Sequence, residues 1–350
     1  MRCRKCPHKA VLEIPRHHTA FCKRCLTEFV CGQVERAVKH DKMFTKADRV
    51  LVAVSGGKDS LTLLDVLHTL GYHVAALYVD LGIGDYSKRS KAKVEAFTSA
   101  RGLVLHVHEL KEDEGAGIND LANLIRRPAC SACGTIKRHH FNRVAVEYGY
   151  SVLATGHNLD DEASRLLGNV LRWQTEYLDK QGPVLPASVD GFAKKVKPLY
   201  RLAEREIAAY AVVNKLDYIV EECPNAVGAK MLLYKDVLNR LEAESPGTKQ
   251  AFYWGFLAKQ EAEGGRTMAE SDQAMLRPCV ACGQPTTAET CNYCKMMARA
   301  IATKAPWGGA IRLLAPLTRD AVERSSHKGK RNAAAGKRMP ILWQADVGER

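Results

Sequence analysis

Eleven of the chain's twelve cysteines stand in groups whose spacing suits metal or sulfur chemistry. Cys3 and Cys6 make one Cys-x2-Cys pair and Cys22 and Cys25 a second; Cys279, Cys282, Cys291 and Cys294 repeat the pattern near the other end. Each set offers four thiolates, the closed tetrahedral complement of structural zinc, so two zinc sites are expected. Such small knuckles fold only around their metal. His8, His17 and His18 lie near the first set, which four cysteines already complete. The basic neighbours Arg2, Arg4, Lys5, Lys23, Arg24 and Lys295 suit contact with phosphates. Cys31, the remaining thiol, reads as a small apolar packing residue.

A second kind of chemistry is written in Ser55-Gly56-Gly57-Lys58-Asp59-Ser60. The glycines allow a sharp turn and bring bare amides up to an anion. The positive end of a following helix, Lys58 and the two serine hydroxyls add to that grip. The spacing is not that of a Walker loop, which has four residues between its first glycine and the Gly-Lys pair. The hexapeptide resembles the pyrophosphate-loop motif of ATP pyrophosphatases. That resemblance implies that ATP is held by its β and γ phosphates and that a substrate carbonyl oxygen takes the adenylyl group. Asp59 then reads as a magnesium or phosphate-orienting group. Further on comes Thr155-Gly156-His157-Asn158-Leu159-Asp160-Asp161-Glu162, where the glycine permits close approach of a ligand. Asp160 and Asp161 divide between N-terminal capping, which Asp does well, and a place in the site.

The mid-chain cysteines follow neither pattern. Cys130 and Cys133 lie in Pro128-Ala129-Cys130-Ser131-Ala132-Cys133, and Cys223 follows the apolar run Tyr218-Ile219-Val220. Three thiolates suit a [4Fe–4S] cluster with one iron left open, unlike the usual four-cysteine ligation. An open iron could hold hydrosulfide, a nucleophile for replacing oxygen by sulfur. A persulfide on one cysteine, resolved by another, is the other reading of the same residues. Lys137 lies four residues beyond Cys133 and seven beyond Cys130, so on a helix the three share a face and the cation could meet an α-phosphate. His139 and His140 read as packing or surface residues.

The elements needed to position these groups are legible as alternating strands and helices. Val50–Val54 is a buried strand, followed by a helix through Leu61, Leu64, Leu67 and Leu70. Further strands are expected at Val74–Val79, Leu103–Val107 and Val152–Ala154, with a helix from Asp160 to Trp173. Alternation of this kind predicts an α/β fold with a parallel sheet covered on both faces, and ligands beyond the carboxyl ends of its strands. The expected organisation is an N-terminal zinc module over 1–31, a catalytic domain over 32–270, a C-terminal zinc module over 271–310 and a partly disordered basic tail over 311–350.

Bulk properties narrow the class. A formal charge of +13 attracts polyanions, of which nucleic acid is the commonest. Apolar residues make up 46% of the chain, yet no run approaches the roughly 20 residues that cross a bilayer. No apolar stretch follows Met1-Arg2-Cys3-Arg4-Lys5-Cys6, so a secretory signal is not expected. Cysteines in metal-type groups suit a reducing, cytoplasmic setting better than a disulfide framework.

Tetrad, pyrophosphate loop, Pro-Ala-Cys-x-x-Cys, Gly-His-Asn-x-Asp-Asp, Cys223 within Glu-Cys-Pro, and final tetrad together resemble the tRNA 2-thiouridine synthetases of the TtuA type. That group is similar to the archaeal and eukaryotic wobble-uridine thiolases, and the likeness covers about residues 1–300. It implies an adenine-nucleotide alpha-hydrolase-like core with a [4Fe–4S] cluster on Cys130, Cys133 and Cys223. It also implies ATP contacts around Ala53, Asp59, Val79, Lys137 and Gly156, with Asp161 and Lys137 assisting catalysis. Partners implied are tRNA, a ubiquitin-like thiocarboxylated sulfur carrier and a second copy of the chain. The reaction expected is adenylation of O2 of a uridine, then exchange of that oxygen for sulfur. Two alternatives are a 2-thiocytidine synthetase and a non-catalytic zinc protein that binds RNA. A lysidine-type or amidotransferase-type ligase would have no use for the three mid-chain cysteines.

Overall fold

The computed structural model describes residues 1–187, 191–226, 228, 230–263, 276–303, 311–314 and 316. Most of the basic tail, and the segment holding the expected boundary at 270, therefore lie outside the described residues.

The chain opens with a short hairpin, β1 (Leu12–Ile14) and β2 (Thr19–Phe21), then helix α1 (Lys23–His40). Next come β3 (Arg49–Val54), α2 (Lys58–Thr69), β4 (His73–Asp80), α3 (Gly84–Ser99), β5 (Leu105–Glu109), α4 (Leu110–Glu114) and α5 (Ile118–Leu124). The middle continues with α6 (Ala129–Glu147), β6 (Val152–Thr155), α7 (Leu159–Val170), α8 (Thr175–Asp179), β7 (Val184–Leu185), β8 (Lys194–Val196) and α9 (Glu204–Val213). Helices α10 (Lys230–Glu244) and α11 (Thr248–Ala262) follow, then β9 (Arg277–Pro278), β10 (Pro285–Thr286) and α12 (Asn292–Ala302).

Six strands form one sheet in the order β5-β4-β3-β6-β8-β7, parallel throughout except for β7, which runs antiparallel to β8. Side chains alternate as the pleat requires. Val50, Val52 and Val54 of β3 enter the core shared with α1, α2, α3, α7, α9 and α11; Leu51 and Ala53 enter the one shared with α5, α6 and α12. Each fully buried Val or Leu contributes about 1.5–3 kcal/mol, so the covered faces, rather than any one hydrogen bond, hold the sheet. Between β3 and β6 the strand order reverses, which opens a crevice at their carboxyl ends.

Two differences from the sequence expectation have local causes. The third strand begins at Leu105 rather than Leu103, because the ladder with β4 starts at the pair Ala76–Leu105. Helix α1 runs unbroken through residue 31, since Leu26, Val30, Val34, Ala37 and Val38 keep one buried face from the cysteine-bearing hairpin into the core of the sheet. Cys31 lies on this helix, half-buried against the same core.

Both cysteine tetrads are assembled, with all four sulfur atoms of each within 4.8 Å of one another. In the second, the Cys291 and Cys294 amides donate to the sulfurs of Cys279 and Cys291 at 3.2 and 3.4 Å. This module rests on α6: Tyr293 stacks on His139 at 3.6 Å, and the Asn142 amide donates to Gln284 Oε1 at 3.2 Å. His139 and His140 are therefore packing residues, both buried. Among the described residues, no helix is long and apolar enough to cross a membrane.

Candidate active site

The loop after β3 is built for an anion. Gly56 adopts φ +78°, and a Cβ there would lie 2.8 Å from the Ser90 carbonyl oxygen, so only glycine fits without displacement. Gly57 starts α2 with no side-chain cap, which leaves the first-turn amides free to face a ligand. The turn is braced internally: the Ser55 amide donates to Ser60 Oγ at 3.1 Å, and Ser60 Oγ donates to the Gly57 carbonyl at 3.0 Å.

A cavity of about 350 Å³ opens in front of this loop. Its wall includes Ala53, Ser55, Gly57, Asp59 and Ser60 from β3 and its turn, Val79 from β4, and Gly156 and His157 after β6. A Cβ on Gly156 would stand 3.0 Å from the backbone of Asp59 and Ser60, so this glycine lets the two ligand-facing turns touch. Cys133, Lys137 and Phe141 of α6 and Cys223 complete the wall. Residues nearly a hundred positions apart are thus brought to the nucleotide loop.

Cys223 is held there by backbone. The Ile219 amide donates to the Gly56 carbonyl at 2.9 Å, which ties the approaching segment to the phosphate turn itself. Arg89 reaches Glu221 and Lys93 reaches Asp217, both at 2.5 Å, from α3. Cys130 is exposed, and its thiol donates to the Asn225 carbonyl at 2.9 Å, just past Cys223. Burial pushes the Cys133 thiol up; Lys137 opposes this, and the neighbouring Cys223 and Cys130 reinforce it. Cys133 and Cys223 thus line the cavity, while Cys130, one turn before Cys133 on α6, is tied by its thiol to the segment that carries Cys223.

The carboxylates at the start of α7 divide between roles, Asp161 taking part in the cap as the residue that completes its capping box. Neither Asp160 nor Asp161 is the N-cap of α7; Asn158 is, because its Oδ1 accepts the Asp161 amide at 3.0 Å while Asp161 Oδ2 accepts the Asn158 amide at 3.1 Å. Asp160 is buried and accepts the Glu204 amide at 2.8 Å and the Lys249 ammonium, which makes it an anchor between α7, α9 and α11. Asp161 instead faces Lys235 at 2.7 Å.

Two residues that the sequence did not single out join it. Glu204 accepts from Lys58 at 2.6 Å and Lys235 at 2.9 Å. Burial alone would raise its carboxyl, but these two lysines hold it down at about 2. Lys58 also lies 3.2 Å from Asp59, so its ammonium is turned onto carboxylates rather than into the cavity. Asp59 is pushed up by burial and by the charges of Asp161 and Glu204, against the pull of Lys58. Asn158 donates to Asp59 Oδ1 at 3.1 Å and locks the two turns together. Beside them, His157 is driven to about 3 by burial and by Lys197, so its ring is neutral at physiological pH; Thr155 is its partner at 2.8 Å.

Residues 30–227 match the PP-loop domain family. The tRNA-5-methyluridine(54) 2-sulfurtransferase of Thermus thermophilus is 48% identical over 85% of this chain and 91% of its own length. That of Pyrococcus horikoshii is 43% identical over 84% and 93%. The chain belongs to the PP-loop tRNA sulfurtransferases. The solved structure of the U34-tRNA thiolase NcsA from Methanococcus maripaludis, with its [4Fe-4S] cluster, has the same fold, at a TM-score of 0.73 and 24% identity over 91% of this chain and 99% of that one.

Membership of a transferase family sets aside the non-catalytic zinc protein as an alternative. For a PP-loop sulfurtransferase the arrangement is economical: the anion-binding turn, Lys137 and two of the thiols line a single cavity. Glu204 left only a weak trace in sequence, an acid at a helix start. Lys235 left none, because α10 reaches the site only through tertiary packing against α7.

Proposed function

We propose that this chain converts the methylated uridine at position 54 of tRNA into its 2-thio form at the expense of ATP. The observation that carries this reading is the single cavity holding the phosphate turn, Lys137, Cys133 and Cys223 together. The position is taken from the sulfurtransferases that resemble the chain over most of its length.

In this scheme ATP lies across the carboxyl ends of β3 and β4, with adenine against Ala53 and Val79 and the β and γ phosphates on the Ser55–Ser60 turn. O2 of the uridine attacks the α-phosphorus, pyrophosphate leaves, and C2 becomes electrophilic. Sulfide then adds at C2 and AMP departs with the original oxygen. Lys137 is placed to stabilise charge on the α-phosphate, and the free amides of α2 stabilise pyrophosphate. Asp59, with Asp161 and Glu204 close by, offers the hard oxygen ligands that magnesium takes; Lys58 and Lys235 occupy those carboxylates here. Burial of the neutral His157 keeps a competing cation out of the wall.

Cys130, Cys133 and Cys223 would hold the [4Fe–4S] group, which when bound would supply a site for the incoming sulfide. The tetrads would hold zinc, and their role is to fix the hairpin before α1 and the far end of α6. A thiocarboxylated carrier protein as sulfur source, a homodimer and a cytoplasmic setting complete the reading.

The test is anaerobic reconstitution with iron and sulfide, followed by incubation with ATP and tRNA and mass spectrometry of the nucleosides. The expected product is 5-methyl-2-thiouridine at position 54, with AMP and pyrophosphate in equal amounts. Thiolated cytidine, or thiolation at position 34, would overturn the assignment of the base.

A further inference from the structure

His140 does more than pack. Outside the cavity wall, its Nε2 lies 2.8 Å from Glu114 Oε1, and Nε2 of His108 approaches the same oxygen at 3.2 Å. His108 stands near the end of β5, Glu114 ends α4, and His140 is in the middle of α6. One donor atom from each lies within 4.8 Å of the other two, the same closeness as in the tetrads. The side chains of Glu114 and His140 are 0% and 1% exposed, and that of His108 11%.

This corner is short of partners. Glu114 Oε2 and His140 Nε2 are buried without a hydrogen bond of proper geometry. Among the described residues no lysine or arginine forms an ion pair with Glu114, so two imidazoles alone answer its carboxylate as possible cations. A buried carboxylate without a fixed cation is costly, and buried charges ordinarily pair or coordinate metal. The histidines are set up as ligands. They stack at 3.7 Å, which brings both Nε2 atoms to one carboxylate oxygen. His108 Nδ1 faces Asp113 Oδ2 at 2.9 Å, which turns the opposite nitrogen onto Glu114. An outer carboxylate on the far nitrogen is how metal-bound histidines are commonly oriented. Two imidazole nitrogens and the two oxygens of Glu114 make four donors of the kinds zinc accepts. Zinc bonds of roughly 2.0–2.2 Å set neighbouring tetrahedral donors about 3.3 Å apart, close to the separations found here.

We propose that His108, Glu114 and His140 bind a zinc ion at a site without cysteine, and that this metal ties the second tetrad's module to the catalytic sheet. Its ligands come from β5, α4 and α6, and the module reaches the same place. Tyr293 of α12 stands edge-on to His140 at 5.6 Å, and the Arg312 amide donates to the Glu114 carbonyl at 3.0 Å. Nitrogen and oxygen donors set this site apart from the thiolates that suit tetrad zinc and cluster iron. The inference makes no use of ATP or tRNA and stands apart from the proposed reaction.

The test uses the full chain, produced with zinc and, in a second preparation, with cobalt in its place. Metal analysis of His108→Gln and Glu114→Gln is expected to find about one zinc per chain fewer than in the parent. Iron absorbance stays at the parental value in both. In the cobalt form the parent shows two kinds of visible absorbance, one with sulfur-to-metal charge transfer and one from cobalt on nitrogen and oxygen. The variants lose only the second kind. That measurement on the parent needs no substitution, so a variant that fails to fold leaves the question decidable. The inference is overturned if both variants keep the parental zinc, which would make the three residues a hydrogen-bonded cluster without metal. It is overturned equally if all cobalt in the parent is bound to sulfur, or if the variants lose the charge-transfer absorbance in step with their zinc.

Discussion

The terminal tetrads and the mid-chain triad use the same residue for opposite ends. In each tetrad four sulfurs converge within 4.8 Å, and in the second one backbone amides donate to two of them. Such a site is finished, and nothing remains for a substrate to meet. The triad puts Cys133 and Cys223 on the cavity wall, with Cys130 exposed and bonded to the Asn225 carbonyl just past Cys223. A metal group held by three ligands keeps a position for chemistry. Completed sites support this fold, and incomplete ones border its cavity.

The contrast is sharpest at Cys223. Cys223→Ser should cut thiolation by at least about a hundredfold, because even the outer partners of metal centres are worth 10–100-fold. Iron absorbance should go with it, while metal in the tetrads and the melting temperature stay. Loss of zinc in this variant would erase the division between the two kinds of site. Next in size, Lys137→Ala should lower kcat of adenylate formation by roughly a hundredfold with little change in KM for ATP. A change confined to KM would make Lys137 a ground-state binder.

On the closed side, Cys282→Ser should abolish the zinc proposed for the second tetrad and lower the melting temperature by about 5 °C or more, since metal binding there would be folding energy. Iron should remain at the triad, which calorimetry and metal analysis on the same sample can check. Gly56→Ala should cost about 1–3 kcal/mol in urea unfolding, from a strained φ and a Cβ against the Ser90 carbonyl. An unchanged midpoint would mean that the loop relaxes without ligand.

How much of this could be read in advance depended on how local the signal was. The tetrads, the Ser55–Ser60 turn and the β3 strand were legible because each is encoded within a short window of spacing or periodicity. Asp160 and Asp161 show where that fails: both are acids at a helix start, yet Asn158 takes the cap, one aspartate goes inward to Lys249 and the other outward to Lys235. Side chains one position apart on a helix point about 100° apart, and only the neighbours decide what each meets. The boundary placed at residue 31 missed that α1 carries one apolar face straight across it.

Residue types and their intervals by themselves determined two four-thiolate sites, a phosphate turn between a buried strand and a helix, and a parallel sheet to carry it. Those follow from backbone geometry and ligand chemistry over a few residues. Only the tertiary structure decided that Cys223 lines the same cavity as Cys133, and that Glu204 and Lys235 stand at the turn. Each of those facts depends on segments far apart in the chain packing on a common sheet, and the free energy that brings them together comes from buried apolar faces, not from the groups that end up side by side.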